Sequence, residues 1–437
     1  MNYIPNVLFA IALIIGIGYF ANNVKKLLRN IKLGHDVDVS DNTSQRWKNM
    51  INIALGQSKM VKRPVSGFLH VIVYVGFVII NIEVLEIIID GLFGTHRLFS
   101  ELLPTSVYGF LIGSFEILAA LVFVAVVIFW IRRNIIKLQR FLKPEMTGWP
   151  KNDGNIILYF EMVLMTLFLI MNATDAPFQS MESGNVISQY ITPLFNGLSE
   201  TTMAVIERSA WWLHILGILV FLNYLYFSKH LHILLAFPNT YYGKVKPKGQ
   251  LDNLQAVTKE VKMMMDPDAD PYAAPPEEDE NDVPAKFGAS DVQDLNWVQL
   301  LNAYTCTECG RCTSECPANL TGKKLSPRKI MMDTRDRLEE VGKNIDANKG
   351  VFQDDGKQLL DDYITREELW ACTSCNACVE ACPVSIDPLS IIMDMRRYLV
   401  MEQSAAPTEL NNMMTNIENN AAPWPYNQMD RLNWKDE

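Results

Sequence analysis

Charge and histidine are scarce in this chain of 437 residues: charged residues make up 20% of it, and histidine occurs six times. Cysteine is absent outside two short clusters, at 306–316 and 372–382, and this excludes a disulfide scaffold. The net charge is −10, and no basic stripe lies outside the flanks of the apolar runs, which excludes a nucleic-acid partner. Because a glycine-rich dinucleotide motif and a nucleophile constellation are also absent, we expect the chemistry to be carried by cofactors.

Long uncharged apolar runs, by contrast, fill the first half. Five of them are long enough to cross a bilayer, which takes about 17–25 residues: 4–20, 65–89, 107–131, 154–171 and 209–227. The first run lacks a basic start and a small-residue cleavage site, so we interpret it as a retained anchor. The pattern predicts a mainly α protein with a five-helix transmembrane bundle over residues 1–240.

Lysine and arginine are divided unequally between the two ends of these runs. Nineteen lie in the segments 23–65, 132–153 and 229–248, whereas the opposite side carries only Arg97 and Arg208. Positive residues are enriched in cytoplasmic loops. We therefore predict a multi-pass protein of the inner membrane of a bacterium, with the N-terminus outside and the C-terminal half in the cytoplasm.

A segment rich in Pro, Asp and Glu separates the two halves. Residues 266–284 (DPDADPYAAPPEEDENDVP) contain too few large apolar residues to bury a core, which predicts an extended tether. An acidic docking site for a basic partner is the alternative. The resulting division is a membrane domain (1–240), an acidic linker (241–290), a cysteine domain (291–402) and a C-terminal tail for partner binding (403–437).

All eight cysteines fall in two copies of the motif C-x-x-C-x-x-C-x-x-x-C-P. In this motif three cysteines bind one 4Fe–4S cluster, and the fourth, before Pro, binds the other. The predicted ligands of the first cluster are Cys306, Cys309, Cys312 and Cys382. Those of the second cluster are Cys372, Cys375, Cys378 and Cys316. Zinc is the alternative, but zinc sites use pairs of C-x-x-C without a trailing Cys-Pro.

Helix start signals frame these motifs. Ser326 before Pro327 predicts a helix over 328–341, because Ser caps a helix N-terminus and Pro suits its first position. Thr365 and Glu368 form a capping box before the second motif, and Asp387 before Pro388 opens a helix over 389–401. We therefore expect a helical cysteine domain.

Four histidines lie in or beside the apolar runs. His70 and His232 are expected at one depth near the cytoplasmic face, and two neutral imidazoles on different helices can bind a six-coordinate haem iron. No C-x-x-C-H motif occurs, so the haem would be of the b type. The alternative is a hydrogen-bonded His70, with His230 and His232 at the membrane interface. In one continuous helix, His214 would stand about 27 Å from His232, near the outer face.

Carboxyl groups occur at membrane depth in the second and third runs. Glu83, Glu86 and Asp90 share one helix face, and Glu116 lies at a similar depth. Such groups usually face a cavity or a proton path, which we predict for Glu83 and Glu116, whereas Asp90 and Glu86 can be explained by contact with outer headgroups. Together with His214, Glu83 and Glu86 form a candidate site for a second haem, a quinone or a proton.

The histidine segments resemble the respiratory nitrate reductase gamma-subunit family. Residues 212–238 (WLHILGILVFLNYLYFSKHLHILLAFP) match its last helix through His214 and His232, and FLHVIVYVGF matches its second helix through His70. That family has a second histidine ten residues further along, where this chain has Ile80. The resemblance thus implies a complete inner haem and an outer haem that lacks one ligand; His96 in a turn is a weak substitute.

The cysteine half resembles the α-helical ferredoxin domain in the iron–sulfur subunits of fumarate reductase and heterodisulfide reductase. Both halves together resemble membrane iron–sulfur oxidoreductases of the heterodisulfide-reductase type, including the electron-transfer-flavoprotein:menaquinone oxidoreductases. This implies electron transfer between a flavoprotein or a CCG-type iron–sulfur partner and menaquinone in the lipid bilayer, through two 4Fe–4S clusters and one b haem, or two. Fused members carry a CCG module after the second motif, which we expect here on a separate polypeptide.

Several points stay open at this stage. The direction of electron flow is not encoded in these motifs. With one haem we expect the quinone in the inner or middle part of the membrane, and with two haems near the outer face. The alternative function is that of a redox-sensing or assembly protein whose clusters do not turn over.

Overall fold

The computed structural model describes residues 3–247, 249–267 and 286–436. The longer helices are α1 Ile4–Ile31, α2 Pro64–Phe93, α3 Thr105–Asn134, α4 Trp149–Thr174, α5 Glu200–Tyr224, α6 His232–Tyr242, α7 Gln255–Met265, α8 Trp297–Thr305, α9 Pro327–Ala347, α10 Pro388–Met401 and α11 Thr408–Asn420. Shorter α-helices cover Thr43–Asn49, Leu98–Leu102, Ala176–Ser180, Ser188–Ile191, Arg311–Ser314, Pro317–Leu320, Leu359–Asp362, Arg366–Trp370 and Ala377–Ala381, and a π-helix covers Met50–Leu55. These parts of the chain contain no β-strand, so the mainly α prediction is confirmed.

Five helices are long and apolar enough to cross a membrane: Ile4–Ile31, Pro64–Phe93, Thr105–Asn134, Trp149–Thr174 and Glu200–Phe227. They correspond to the five predicted apolar runs, and the predicted bundle is confirmed. Large apolar side chains such as Ile14 (72% exposed) and Phe110 (78% exposed) point outward, as expected of side chains that face lipid.

Glycine allows close packing inside the bundle. A Cβ atom added to Gly91 of α2 would lie 2.5 Å from the Phe9 ring of α1, and one on Gly76 would lie 2.5 Å from Val122 of α3. Small residues of this kind let membrane helices approach closely without a loss of packing. The buried polar side chains of α2 therefore face neighbouring helices across short distances.

The fifth membrane segment is not one straight helix, which corrects the geometry expected from the sequence. Helix α5 begins at Glu200, where the Ser199 hydroxyl accepts from the Thr202 amide at 3.2 Å, so His214 lies near its middle. It ends at Tyr224, and after a short 3-10 turn Ser228 is extended, with φ −123° and ψ 148°. His214 and His232 thus lie in different helices, and the straight-helix distance of about 27 Å does not apply.

The helix starts of the cysteine half are where the sequence predicts them. Ser326 caps α9, the Thr365 capping box opens Arg366–Trp370, and Asp387 caps α10. Most of the acidic segment 266–284 lies outside the described residues. Within 241–290, α7 covers Gln255–Met265.

The cysteine domain packs directly on one end of the bundle. One continuous apolar core contains Leu27 of α1 and Phe221 of α5 together with Leu300 of α8 and Leu338 of α9. Polar contacts follow the same junction: the Asn30 amide donates to the Tyr304 hydroxyl at 2.9 Å. The cysteine domain therefore lies at the end of the bundle where the basic flanking segments are.

Candidate electron-transfer site

The first three cysteines of the first motif meet the last cysteine of the second. Cys306, Cys309, Cys312 and Cys382 line one small cavity, and Cys378 lines it as well. Cys306 follows α8, and Cys382 ends the short helix Ala377–Ala381. The Ile386 amide donates to Cys382 Sγ at 3.3 Å, a contact of the kind that tunes the potential of a cluster.

The thiols are held in surroundings that oppose their ionisation. Burial raises the pKa of Cys306 to about 12 and that of Cys382 to about 11. Burial also raises the pKa of Cys312 well above its ordinary value, and Cys309, Cys306 and Cys382 add to this rise. Such thiols become thiolates when a metal centre supplies positive charge.

The remaining four cysteines form a second group, closer to the surface. Burial raises the pKa of Cys378, and the neighbouring charges of Asp387, Cys372 and Cys316 raise it further. Burial raises the pKa of Cys372 and Cys316 adds to that rise, so Cys316 is an electrostatic neighbour of the second motif. Cys375 is exposed, and this second group is the one accessible from the cytoplasmic solvent under the predicted topology.

His70 and His232 face each other at the same end of the bundle. Their ring centroids are 6.4 Å apart, with 43° between the ring planes. Metal–nitrogen bonds of about 2 Å on opposite sides of an iron put the two ring centroids about 6 Å apart. His70 Nδ1 is buried and has no hydrogen-bond partner, so His70 and His232 together could hold a haem iron.

A backbone carbonyl orients the second ring of this pair. His232 Nδ1 lies 3.1 Å from the Lys229 carbonyl oxygen, and an Nδ1–H donor leaves Nε2 free to bind a metal. His230 contacts Phe221, with ring centroids 5.3 Å apart, and its Nε2 is 3.8 Å from Glu161. Of the two histidines in this turn, His232 is therefore the one that faces His70.

His214 has no histidine opposite it among the described residues. Its buried ring lies 6.0 Å from Phe168, and Nδ1 has no hydrogen-bond partner. His96 pairs with Asp175 at 3.3 Å. A second haem between two histidines has no geometric support here.

The carboxyl groups at the other end of the bundle differ in their partners. Glu86 accepts from the Phe99 amide at 2.8 Å, and Asp90 accepts from the Arg97 amide at 2.7 Å, so both stabilise the turn after α2 and do not extend to headgroups. Glu116 accepts from the Ile187 amide at 2.7 Å. These three have a structural explanation.

Glu83 is the exception in this group. It is 3% exposed, and its Oε2 has no hydrogen-bond partner. It lines a small cavity together with Glu86, Arg97 and Asp175, and Arg97 pairs with Asp175 at 2.6 Å. His96, Asp175 and Glu207 offer ligand atoms within 4.8 Å of one another, but Arg97 and Arg208 already pair with both carboxylates.

A buried ionic cluster beside the first cysteine loop was not predicted from the sequence. Glu308, between Cys306 and Cys309, pairs with Lys229 and, at 2.9 Å, with Arg335. Although burial opposes it, Lys229 and then Arg335 hold the pKa of Glu308 below its ordinary value. The one available signal was the position of Glu308 inside a cysteine motif, because its partners come from distant parts of the chain.

These features define a helical membrane protein with an iron–sulfur dicluster domain. Residues 305–386 match the 4Fe-4S dicluster domain family. The chain is similar to the probable iron-sulfur-binding oxidoreductase FadF of Bacillus subtilis (strain 168), with 30% identity over 98% of this chain and 60% of the relative. It is also similar to the EtfAB:quinone oxidoreductase of Syntrophomonas wolfei subsp. wolfei, with 25% identity over 92% of this chain and 55% of the relative.

A third similarity is confined to a shorter region. The probable membrane-anchored ferredoxin of Chromohalobacter salexigens is 33% identical over 36% of this chain and 25% of that protein. No solved structure matches. The chain spans about 55–60% of the length of the two oxidoreductases above. The predicted resemblance to iron–sulfur oxidoreductases is confirmed, while haem and quinone stay predictions.

Proposed function

We propose that this chain is the membrane electron-transfer subunit of a quinone oxidoreductase. It would move electrons between menaquinone in the inner membrane of a bacterium and a cytoplasmic partner, either an electron-transfer flavoprotein or a CCG-type iron–sulfur protein. The observation that carries the proposal is the packing of the cysteine domain on the end of the bundle where His70 and His232 face each other 6.4 Å apart.

The bound groups would supply one-electron chemistry, and the chain would supply their positions. Cys306, Cys309, Cys312 and Cys382 would hold one cluster, and Cys316, Cys372, Cys375 and Cys378 the other. His70 and His232 would hold a b haem. The similarity to relatives named as an iron-sulfur-binding oxidoreductase and an EtfAB:quinone oxidoreductase supports this assignment.

Contacts across the junction keep the first cysteine loop close to α2. Arg311, between Cys309 and Cys312, donates to the carbonyl oxygens of Lys59 and Met60 at 3.1 Å each. Asn239 of α6 donates to the Val384 carbonyl at 2.8 Å. Because α2 carries His70 and α6 carries His232, these bonds fix the distance between the loop and the histidine pair, and a fixed short distance is what electron transfer requires.

Glu83 is our candidate for proton exchange with the quinone. It is a buried carboxyl without a partner in a small cavity, and intramembrane carboxyls commonly serve proton transfer. With one haem at the inner end, we retain the proposal of a quinone in the inner or middle part of the membrane. Glu83 lies about 20 Å along α2 from His70, so it would exchange protons with a quinone in the middle position. His214 and Glu86 would then be polar neighbours of the proton path and not haem ligands.

The test is electron exchange with a quinone by the purified full chain in lipid vesicles. We expect about eight non-haem irons per chain, one low-spin b haem, and reoxidation of the chemically reduced chain by a menaquinone analogue. The Glu83→Gln variant should slow that reoxidation and leave the haem spectrum unchanged. Clusters without haem and without exchange with quinone would contradict the proposal and favour a sensing or assembly role.

A further inference from the structure

The carboxylate inside the first cysteine motif lies in a buried network that also includes the turn before His232. Glu308 is 3% exposed and has φ +54°, which lies in the left-handed region. Its Oε2 pairs with Lys229 Nζ, and its Oε1 lies 2.9 Å from Arg335. The cysteine domain thus places one charge into the end of the membrane bundle.

Every polar atom of Lys229 has a partner in this network. Its amide donates to Asp153 at 3.1 Å, and its ammonium group also donates to the Pro150 carbonyl at 2.7 Å. Its carbonyl oxygen lies 3.1 Å from His232 Nδ1. The side chain of Lys229 therefore binds the cysteine loop, while its backbone orients the histidine.

The network contains buried charges of both signs. Two carboxylates, Glu308 and Asp153, face two cations, Lys229 and Arg335, and all four are mostly buried. Arg335 also pairs at 3.2 Å with Asp336, which is 54% exposed. In such surroundings one uncompensated charge acts over a longer distance than it does in water. A negative charge disfavours the reduced state of a nearby redox group, and a positive charge favours it.

We propose that Lys229 and Glu308 are a positioning pair that couples the first cysteine loop to His232. Their opposite charges set the redox potentials of the cluster at that loop and of the haem at His232. The inference rests on the proposed function, since it assumes a cluster at the first group of cysteines and a haem iron at His232. Neither residue touches the reacting groups. Lys229 acts through the orientation of His232, and Glu308 acts through Lys229 and through its charge.

The test is a redox titration of the full chain, with the haem followed optically and the clusters by electron paramagnetic resonance. Glu308→Gln should shift the midpoint potentials of the first cluster and the haem upward, and Lys229→Met should shift both downward. The double variant should return close to the wild-type values, because it removes one charge of each sign and so keeps the wild-type net charge of the network. Lys229→Arg, which keeps the charge, should lie near the wild type.

The matched control is Glu315→Gln. Glu315 lies beside Cys316 and pairs with Arg63 at 2.8 Å, but it is 54% exposed, so solvent should screen the loss of its charge. Shifts of the same sign in Glu308→Gln and Lys229→Met, or shifts no larger than that of the control, would overturn the inference.

Two outcomes separate this inference from the proposed function. A wild-type chain with clusters but without haem would contradict the proposed function, and opposite shifts of the first cluster alone would still support the pair. If Glu308→Gln does not accumulate, the contrast between Lys229→Met and Lys229→Arg decides the question. A downward shift of the midpoint potential in Lys229→Met without one in Lys229→Arg supports the inference, and equal shifts in the two variants overturn it.

Discussion

The two cysteine loops adopt the same backbone at corresponding residues. Glu308 and Gly310 in the first loop, and Ser374 and Asn376 in the second, all have φ between +54° and +71°. Gly and Asn tolerate this left-handed region, whereas for other residues it costs about 1 kcal/mol or more. At Glu308 two ion pairs offset that cost locally. The repeated cysteine motif thus has the same local backbone conformation in both loops.

The crossed assignment of the fourth cysteine can be tested at Cys316. We expect Cys316→Ser to abolish or convert the cluster of the second motif and to leave that of the first, because Cys316 is the electrostatic neighbour of Cys372 and Cys378. Electron paramagnetic resonance of the reduced chain, with iron content, measures this. Cys382→Ser should give the opposite pattern. Loss of the first cluster alone in Cys316→Ser would disprove the crossed arrangement.

A second prediction at the scale of single residues concerns the histidine pair, His70 and His232. His70→Ala should remove the low-spin haem and its reduced α-band, since no other histidine among the described residues faces His232 from α2. His230→Ala should keep the band, because that ring faces Phe221 and Glu161. The exposed His35 provides the control substitution. A haem that survives His70→Ala but not His230→Ala would show that the ligand assignment is wrong.

At the scale of the elements, sequence signals succeeded where they are local. Apolar length predicted five spanning helices, and the caps Ser326, Thr365 and Asp387 predicted three helix starts, because each signal depends on neighbouring residues. The break at Ser228 was missed, since Asp153 of α4 accepts from the Tyr224 hydroxyl at 2.6 Å and the Lys229 amide at 3.1 Å. The hydrophobic periodicity of one segment carries no information about a hydrogen-bond partner in another segment.

Close packing of α1 on α2 gives the prediction at this scale. Gly91→Leu should destabilise the bundle by about 1–3 kcal/mol, because the added side chain overlaps the Phe9 ring. Gly18→Leu in α1 is the control, since a Cβ there meets no atom within 4 Å. Thermal unfolding of the purified chain in detergent measures both. Equal effects of the two substitutions would contradict this packing.

At the scale of the whole molecule, the junction is a structural unit and not a flexible tether between two bodies. The shared apolar core is supported by Arg328, which is fully buried and binds Glu145 at 2.7 Å and the Arg140 carbonyl at 2.7 Å. Both of these partners belong to the loop between α3 and α4. The acidic segment thus connects two parts that already pack together, which leaves the outer face of the cysteine domain as the region open to a soluble partner.

The exposed Cys375 marks the expected entry point for that partner. An aspartate at the neighbouring exposed Thr373 should slow reduction of the chain by a soluble flavoprotein or iron–sulfur donor, because protein donors must make contact close to the cluster that they reduce. Reduction by dithionite, which is small, should be unchanged. Gln353→Asp, at an exposed neutral site after α9, controls for the added negative charge, since it also changes the charge by one unit.

Stopped-flow measurement of cluster bleaching gives both rates. Equal slowing by Thr373→Asp and Gln353→Asp would show that the donor docks elsewhere, whereas slowing by Thr373→Asp alone would assign electron entry to the second group of cysteines.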